Sequence, residues 1–361
     1  MQIHSIELKN FRCFTHKIVK FDSNLVIIEG DNGSGKTSLL EAMHYGCYLR
    51  SFRTYNPRYM LAHGQESFSI KLHVDEGDLL PADHEIQIGF SGKRRSVKLN
   101  QHSICSYKEL MESYRAITIT EDDLGLITGG PEVRRTFIDT ALILGNPLFT
   151  KTLADLKRII DQRTSLIAQK SSNHEVFKLW TQQLWEKSCS IQQERLALLT
   201  KIEGQAQKLI QEMFNGAYTL NIYYRPKMDL KGDSFEEWFA AHPSLYEHEI
   251  TMGRSLFGAH LDDFVIKFQD NHSKVYASRG QQKLIVMLIK MAQVHEIALI
   301  KGPAVLLLDD FLTDFDRKRA ELCLKVLVSL HGQIILTTPI ASDWLSGMIE
   351  TLGGQRIVLS E

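Results

Sequence analysis

The sequence predicts an α/β fold in which both ends of the chain build one lobe and a helical arm is inserted between them. Three observations predict it. "LVIIEG" (Leu25 to Gly30) is a short continuous apolar run ending in glycine, with a helically spaced segment behind it; such a run is a strand buried on both faces. After about residue 250 the same pattern returns, with helical segments around the buried strands of "PAVLLLDDF" and "QIILTTP". Between the two regions no proline occurs from Leu148 to Arg225, and apolar residues there step at helical spacing.

At 361 residues the chain is long enough for two domains, or for one large domain carrying an insertion. Apolar residues make up 43% of it, the range of a folded chain rather than a disordered one. Lysine and arginine total 42 against 43 acids, a formal charge of −1, so there is no global basic footprint. A nucleic-acid partner must then be met by local patches. The five cysteines (Cys13, Cys47, Cys105, Cys189, Cys323) are odd in number and show no CxxC spacing, as reduced thiols do. No hydrophobic signal core opens the sequence, and no apolar run approaches the roughly 18 residues of a membrane span. A soluble cytoplasmic protein with no membrane partner is expected.

Each element follows from its local pattern. "MQIHSIELKNFRCF" alternates as a strand does, and after Gly30 the residues Leu39, Leu40, Met43 and Cys47 recur at helical spacing. "SFSIKLHV" and "HEIQIGF" alternate apolar and polar residues as antiparallel strands do, with "SGKRRSVKLNQ" continuing the meander. Leu153, Leu156 and Ile160 mark a first arm helix. Trp180, Leu184, Ile191, Leu198, Ile202, Leu209 and Met213 mark a longer second one. Ser172 with Glu175 three residues on gives a capping-box start for that second helix. In the C-terminal part, "SRGQQKLIVMLIKMAQVHEIAL" and "DRKRAELCLKVLVSL" read as helices beside the two buried strands. The expected divisions are 1–145, 146–248 for the arm, and 249–361.

The chemistry begins in "GDNGSGKT": Gly30, Asp31, Asn32, Gly33, Ser34, Gly35, Lys36 and Thr37 fit G-x-x-x-x-G-K-[ST] without exception. The glycines let the backbone curl so that N–H groups point at phosphate oxygens, reinforced by the dipole of the helix that follows. Lys36 is expected to neutralise the β/γ-phosphates, and the Thr37 hydroxyl to ligate Mg²⁺. The strand of "AVLLLDDF" delivers Asp309 to the same end, where it would hold Mg²⁺ through a water. Asp310 beside it is placed to orient or deprotonate the attacking water. Being one methylene shorter than Glu, it suits slow hydrolysis.

"YASRGQQKLIV" places Ser278, Gly280, Gln281 and Gln282 directly ahead of an apolar helical run. A P-loop, then a distant S-x-G-Q segment, then a strand ending in acids is the layout of ABC-type ATPases, whose fold and ATP–Mg²⁺ requirement the chain resembles. That resemblance implies that Ser278, Gly280 and Gln281 cap the nucleotide of a second copy. It also implies that Asp316, in "LTDFD", lies at the interface of the pair. In "ILTTP", Thr337 and Thr338 stand where transport ATPases carry a histidine.

Over nearly its whole length the chain is similar to the RecF family, DNA replication and repair ATPases related to the SMC class. "LKNFRCF", "RSFRT" (with Leu49 for the usual Gly before it), "LITGGPEVRRTFID", "GAHLDD", "ASRGQQK" and "LLLDDF" carry the similarity. In "GAHLDD", Ala259 and Leu261 replace the usual Pro and Arg. The resemblance implies an ATPase head with a short helical arm and an ATP-driven homodimer on double-stranded or gapped DNA. It further implies slow DNA-stimulated hydrolysis, and RecA loading at gaps with RecO and RecR.

For DNA, "GKRRSVK" offers Lys93, Arg94, Arg95 and Lys98 with no acid nearby, while a solvated turn accounts for the same residues. Arg134 and Arg135 are read as knitting the arm to the head. Rival readings are a transporter cassette, a small-molecule kinase and an ATP-gated DNA clamp that does not hydrolyse. The first requires a complete LSGGQ and a switch histidine; the second requires an acceptor site and a lid.

Overall fold

The computed structural model describes all residues except 76–82, 105–109, 111–112, 170–173, 231–233, 311, 313–314, 330–331, 340–342 and 360–361. They form two compact units. One comprises Met1–Leu124, Gln211–Asn215 and Arg279–Glu361, and the other Gly125–Ile210 with Gly216–Ser278.

The first unit holds two sheets. The antiparallel one runs β2-β1-β4-β5-β6-β7, from β1 (Gln2–Phe11), β2 (Phe14–Lys20), β4 (Ser67–Asp75), β5 (Asp83–Ser91), β6 (Arg94–Leu99) and β7 (His102–Ser103). Its strands alternate because one face is core: Ile6, Leu8, Ile70, Leu72, Ile86 and Ile88 are all fully buried. The parallel sheet runs β14-β3-β13-β12-β8, from β3 (Leu25–Glu29), β8 (Ala116–Ile119), β12 (Val305–Leu308), β13 (Ile334–Thr338) and β14 (Gln355–Val358). Here β3, β8, β12 and β13 are buried at every residue, which is why their sequences read as unbroken apolar runs. Strand β13 lies between β3 and β12, so the C-terminal ends of the P-loop strand and the acid-bearing strand flank it. Gln333, just ahead of β13, accepts from the Ile3 amide at 2.7 Å and donates to the Ile3 carbonyl at 2.8 Å, joining the two sheets. Helix α1 (Lys36–Tyr48) follows β3 through the glycine-rich loop.

The second unit contains α2 (Pro131–Gly145), α3 (Phe149–Ala168), α4 (His174–Phe214, whose final residues from Gln211 fall in the first unit), α5 (Phe235–Ala240) and α6 (Leu245–Met252). A small sheet, β11-β10-β9, is formed by β9 (Leu220–Arg225), β10 (Asp263–Phe268) and β11 (Asn271–His272). Helices α3 and α4 are the two expected arm helices, with Leu184, Ile191, Ile202 and Leu209 buried. The stripe drifts to Leu199 instead of Leu198, as a 3.6-residue helix drifts against a seven-residue count. Ser172 lies outside the described residues. Inside the unit, the fully buried Arg163 of α3 donates to Glu249 of α6 at 2.6 Å, to Ser255 at 2.6 Å and to Thr181 at 3.2 Å.

The expected arm limits, 146 and 248, fall inside this second unit, which starts at Gly125 and runs to Ser278. Ion pairing extends it beyond the helices. Arg134 of α2 makes a bidentate pair with Asp263 at 2.7 and 3.0 Å, and Arg135 donates to the Asp262 carbonyl at 2.7 Å. Both arginines are thus structural, but they work within one unit rather than between arm and head, and α2 is a full 15-residue helix. In the first unit the last helices are α7 (Arg279–Lys301), α8 (Arg317–Ser329) and α9 (Asp343–Thr351). Among the described residues no helix is long and apolar enough to cross a membrane.

Candidate nucleotide site

The loop between β3 and α1 is shaped by its glycines. Gly33 and Gly35 sit at φ +95° and +97°, backbone that L side chains rarely adopt. At Gly30 an added Cβ would lie 2.5 Å from Ser34 Oγ and 2.6 Å from the Leu359 carbonyl, so only glycine fits. Gly35 caps α1 without a side-chain hydrogen bond, leaving the helix N–H groups for an anion. Lys36 is 5% exposed, and its amine donates to the Gly30 and Asp31 carbonyls at 2.8 and 3.1 Å. Ser34 Oγ is buried and has no hydrogen-bond partner among the described residues. A loop with donors folded back on itself and one hydroxyl unsatisfied fits a phosphate chain. Asp31 and Asn32 are exposed at its rim.

Asp309 leaves the end of β12 and meets this loop. Its Oδ1 accepts from the Thr37 hydroxyl at 3.0 Å and from the Thr337 hydroxyl at 2.9 Å. Burial pushes its carboxyl above the ordinary range. The two hydroxyl donors and the charge of Arg53 pull it down, while Asp310 pushes it up again. Asp309 thus lies against the P-loop threonine, and hydroxyl plus carboxylate is the hard-oxygen donor set that suits Mg²⁺. Asp310 sits at φ +48°, a left-handed backbone that Asp tolerates better than most residues. Its amide donates to Thr337 Oγ1 at 2.9 Å.

Sequence reading missed a second cluster. Glu41 of α1, fully buried, accepts from Arg12 at 2.8 and 2.6 Å and from Arg53 at 3.3 Å, and the Ser51 hydroxyl donates to it as well. Arg12 belongs to "NFRCF" and Arg53 to "RSFRT", so two of the family-like stretches converge on the P-loop helix. The signal was a lone Glu inside an apolar helical run, which has no meaning until its partners are known.

Ser278 is exposed immediately before α7, and Gly280 and Gln281 lie in its first turn. Arg279 donates to Glu121 at 3.2 Å, and the buried Lys283 pairs with the same carboxylate, which ties the start of α7 to the turn after β8. Asp316 accepts from the Arg319 amide at 3.0 Å and so caps α8. Lys93, Arg94, Arg95 and Lys98 are all exposed on the β5–β6 hairpin, but the strand divides them. Arg94 and Lys98 share one face of β6. Arg95 shares the other with Val97, and donates to the Leu49 carbonyl at 2.9 Å.

The family model described as the RecF/RecN/SMC N-terminal domain matches residues 2–354. The DNA replication and repair protein RecF of Crocosphaera subtropica is 30% identical to the chain, with 99% of each chain covered. That of a Cyanothece species is 28% identical over 98% of this chain and 97% of its own. A solved structure of the recombination mediator protein RecF with ATP, from the RecFOR pathway, overlays with a TM-score of 0.81 at 23% identity, covering 95% of this chain and 93% of that one. An Smc head bound to the C-terminal winged-helix domain of ScpA overlays at 0.56 and 14% identity, covering 96% and 92%. At these identities the overlays speak for the fold alone.

Proposed function

The chain belongs to the RecF family of DNA replication and repair proteins, and on that footing we propose that it is an ATP-dependent DNA-binding protein of recombinational repair. ATP drives pairing of two copies on double-stranded or gapped DNA, and slow hydrolysis resets the pair. The observation that carries the reading is the meeting of Thr37 and Asp309 at a loop whose lysine and buried serine hydroxyl face inward. Thr37 and Asp309 would hold Mg²⁺, which supplies charge neutralisation at the phosphates when bound. Lys36 binds the phosphate chain, and Asp310 orients a water. A short carboxylate on a constrained backbone suits a timer more than a motor.

Ser278, Gly280 and Gln281 are assigned to the nucleotide of the second copy, with Asp316 at the interface. Sedimentation with a non-hydrolysable ATP analogue tests this. The unmodified chain is expected to be monomeric alone and dimeric with the analogue, whereas Ser278→Arg binds the analogue but stays monomeric. Normal dimerisation of that variant would rule out capping in trans. By family membership the expected partners are RecO and RecR, with RecA as the protein loaded, in the cytoplasm. A clamp that never hydrolyses differs from this reading only in turnover, so a measured kcat separates them.

For the DNA surface we propose Lys93, Arg94 and Lys98, extended by the segment after α1. No acid occurs from Ala42 to Gln65, and Arg50, Arg53, Tyr55, Arg58 and Tyr59 are all exposed there, Tyr55 completely. Arg95 ties β6 to the start of that segment through Leu49. Arginines pair with phosphates, and tyrosine faces stack on unpaired bases. A Lys93/Arg94/Lys98→Ala triple variant is expected to bind gapped DNA more weakly, with a log–log salt slope shallower by about 2 to 3. Unchanged affinity and slope would move the surface elsewhere.

A further inference from the structure

Thr337 lies at the C-terminal end of β13, between the strand that leads into the P-loop and the strand that ends in Asp309. It is 2% exposed, and its hydroxyl is fully engaged. The oxygen accepts from the Asp310 amide at 2.9 Å, which leaves its single proton for Asp309 Oδ1, also at 2.9 Å. The Leu308 carbonyl, at 3.4 Å, is the poorer acceptor for that proton. Thr37 gives its proton to the same Oδ1.

One hydroxyl thus does two things. By donating, it joins Thr37 in holding one oxygen of the Asp309 carboxylate, and among the described residues no hydrogen bond reaches Oδ2. By accepting, it holds the backbone of Asp310 in the left-handed conformation at φ +48°. A residue in that region needs its surroundings to keep it there. Both acids are therefore set by the same buried side chain.

Resting on the ATP–Mg²⁺ reading above, we infer that Thr337 is a positioning residue that fixes the free carboxylate oxygen of Asp309 toward the cation and aims Asp310. Serine keeps the hydroxyl, whereas valine keeps the shape and loses it. Valine would leave the Asp310 amide without its acceptor and Oδ1 with one donor instead of two.

The test compares the unmodified chain with Thr337→Val, Thr337→Ala and Thr337→Ser. Four quantities are measured: fluorescent ATP-analogue affinity in EDTA, the Mg²⁺ concentration at half-maximal tightening of that affinity, kcat against KM, and the melting temperature. Losing a hydrogen bond to a charged group predicts that the Mg²⁺ midpoint rises on the order of tenfold in Val and Ala. In the same variants kcat is expected to fall at least as far, with KM and EDTA affinity within about twofold. Ser is expected to restore both. The Ala variant carries the test if the branched residue fails to fold. Wild-type Mg²⁺ midpoint and kcat in Val or Ala would overturn the inference, as would a Ser variant as impaired as they are. A general loss that tracks only the melting temperature would reduce Thr337 to packing. If the unmodified chain neither binds nor hydrolyses ATP, the reading beneath falls first and this inference with it.

Discussion

Lys36→Ala is expected to weaken ATP binding by about a hundredfold or more, since a charge-assisted contact in a buried site is worth roughly 3 kcal/mol. The side chain is nearly enclosed, and its amine is already folded onto the Gly30 and Asp31 carbonyls, so it sits at the centre of the loop rather than on its rim. Two losses coincide in the variant: the cation proposed to meet the phosphates and the tether to the Gly30 and Asp31 carbonyls. Lys36→Arg is expected to fail nearly as badly, because a planar five-donor fork cannot replace a compact ammonium in that space. Titration calorimetry against ATP reads the effect, and the stabilisation that ATP gives to the melting curve should vanish in parallel. Affinity within threefold of the unmodified chain would mean that the loop binds phosphate by backbone groups alone.

Glu249→Ala is expected to cost about 3–5 kcal/mol of stability, the usual consequence of leaving one member of a buried ion pair alone. Arg163 and Glu249 are both completely inaccessible, 86 residues apart in sequence. Burial pulls the guanidinium below its ordinary value, and the paired carboxylate opposes that shift. The rings of Phe177 and Phe257 lie 4.8 and 5.0 Å from the guanidinium carbon, so the variant leaves the charge in largely apolar surroundings. Replacing both residues together, Arg163→Met with Glu249→Leu, is expected to recover most of the loss, because no orphaned charge remains. Denaturant unfolding monitored by tryptophan fluorescence distinguishes the outcomes. A cost under 1 kcal/mol for Glu249→Ala would show that the charge escapes to solvent.

Local pattern made much of this molecule legible. Strands β3, β12 and β13 are continuous apolar runs because parallel strands here are covered on both faces, and the P-loop follows from eight consecutive residues. Helices α3, α4 and α7 follow from spacing alone. What stayed hidden depends on residues far apart in the chain. Glu41 reads as an oddity until Arg12 and Arg53 arrive from either side of it. Thr337 reads only as a missing histidine until β13 is known to lie beside β12. The hairpin basic residues read as one cluster, and the two-residue period of β6 divides them. The pairing of β9 with β10 is not legible because "LNIYYR" and "DFVIKF" lie far apart in the chain and no hairpin turn joins them.

The strand that feeds the P-loop has a consequence for how the protein is made. Both hydrogen-bonded neighbours of β3 are β13 and β14, which begin only at Ile334 and Gln355. On a ribosome, Leu25–Glu29 emerges well before either partner strand, with its apolar faces and edges uncovered, and must wait for Ile334–Thr338 and Gln355–Val358 before it can be paired. A parallel sheet closed by so distant a segment is slow to form and vulnerable to aggregation while it waits. The loop that follows this strand therefore takes its final shape long after its motif has been translated.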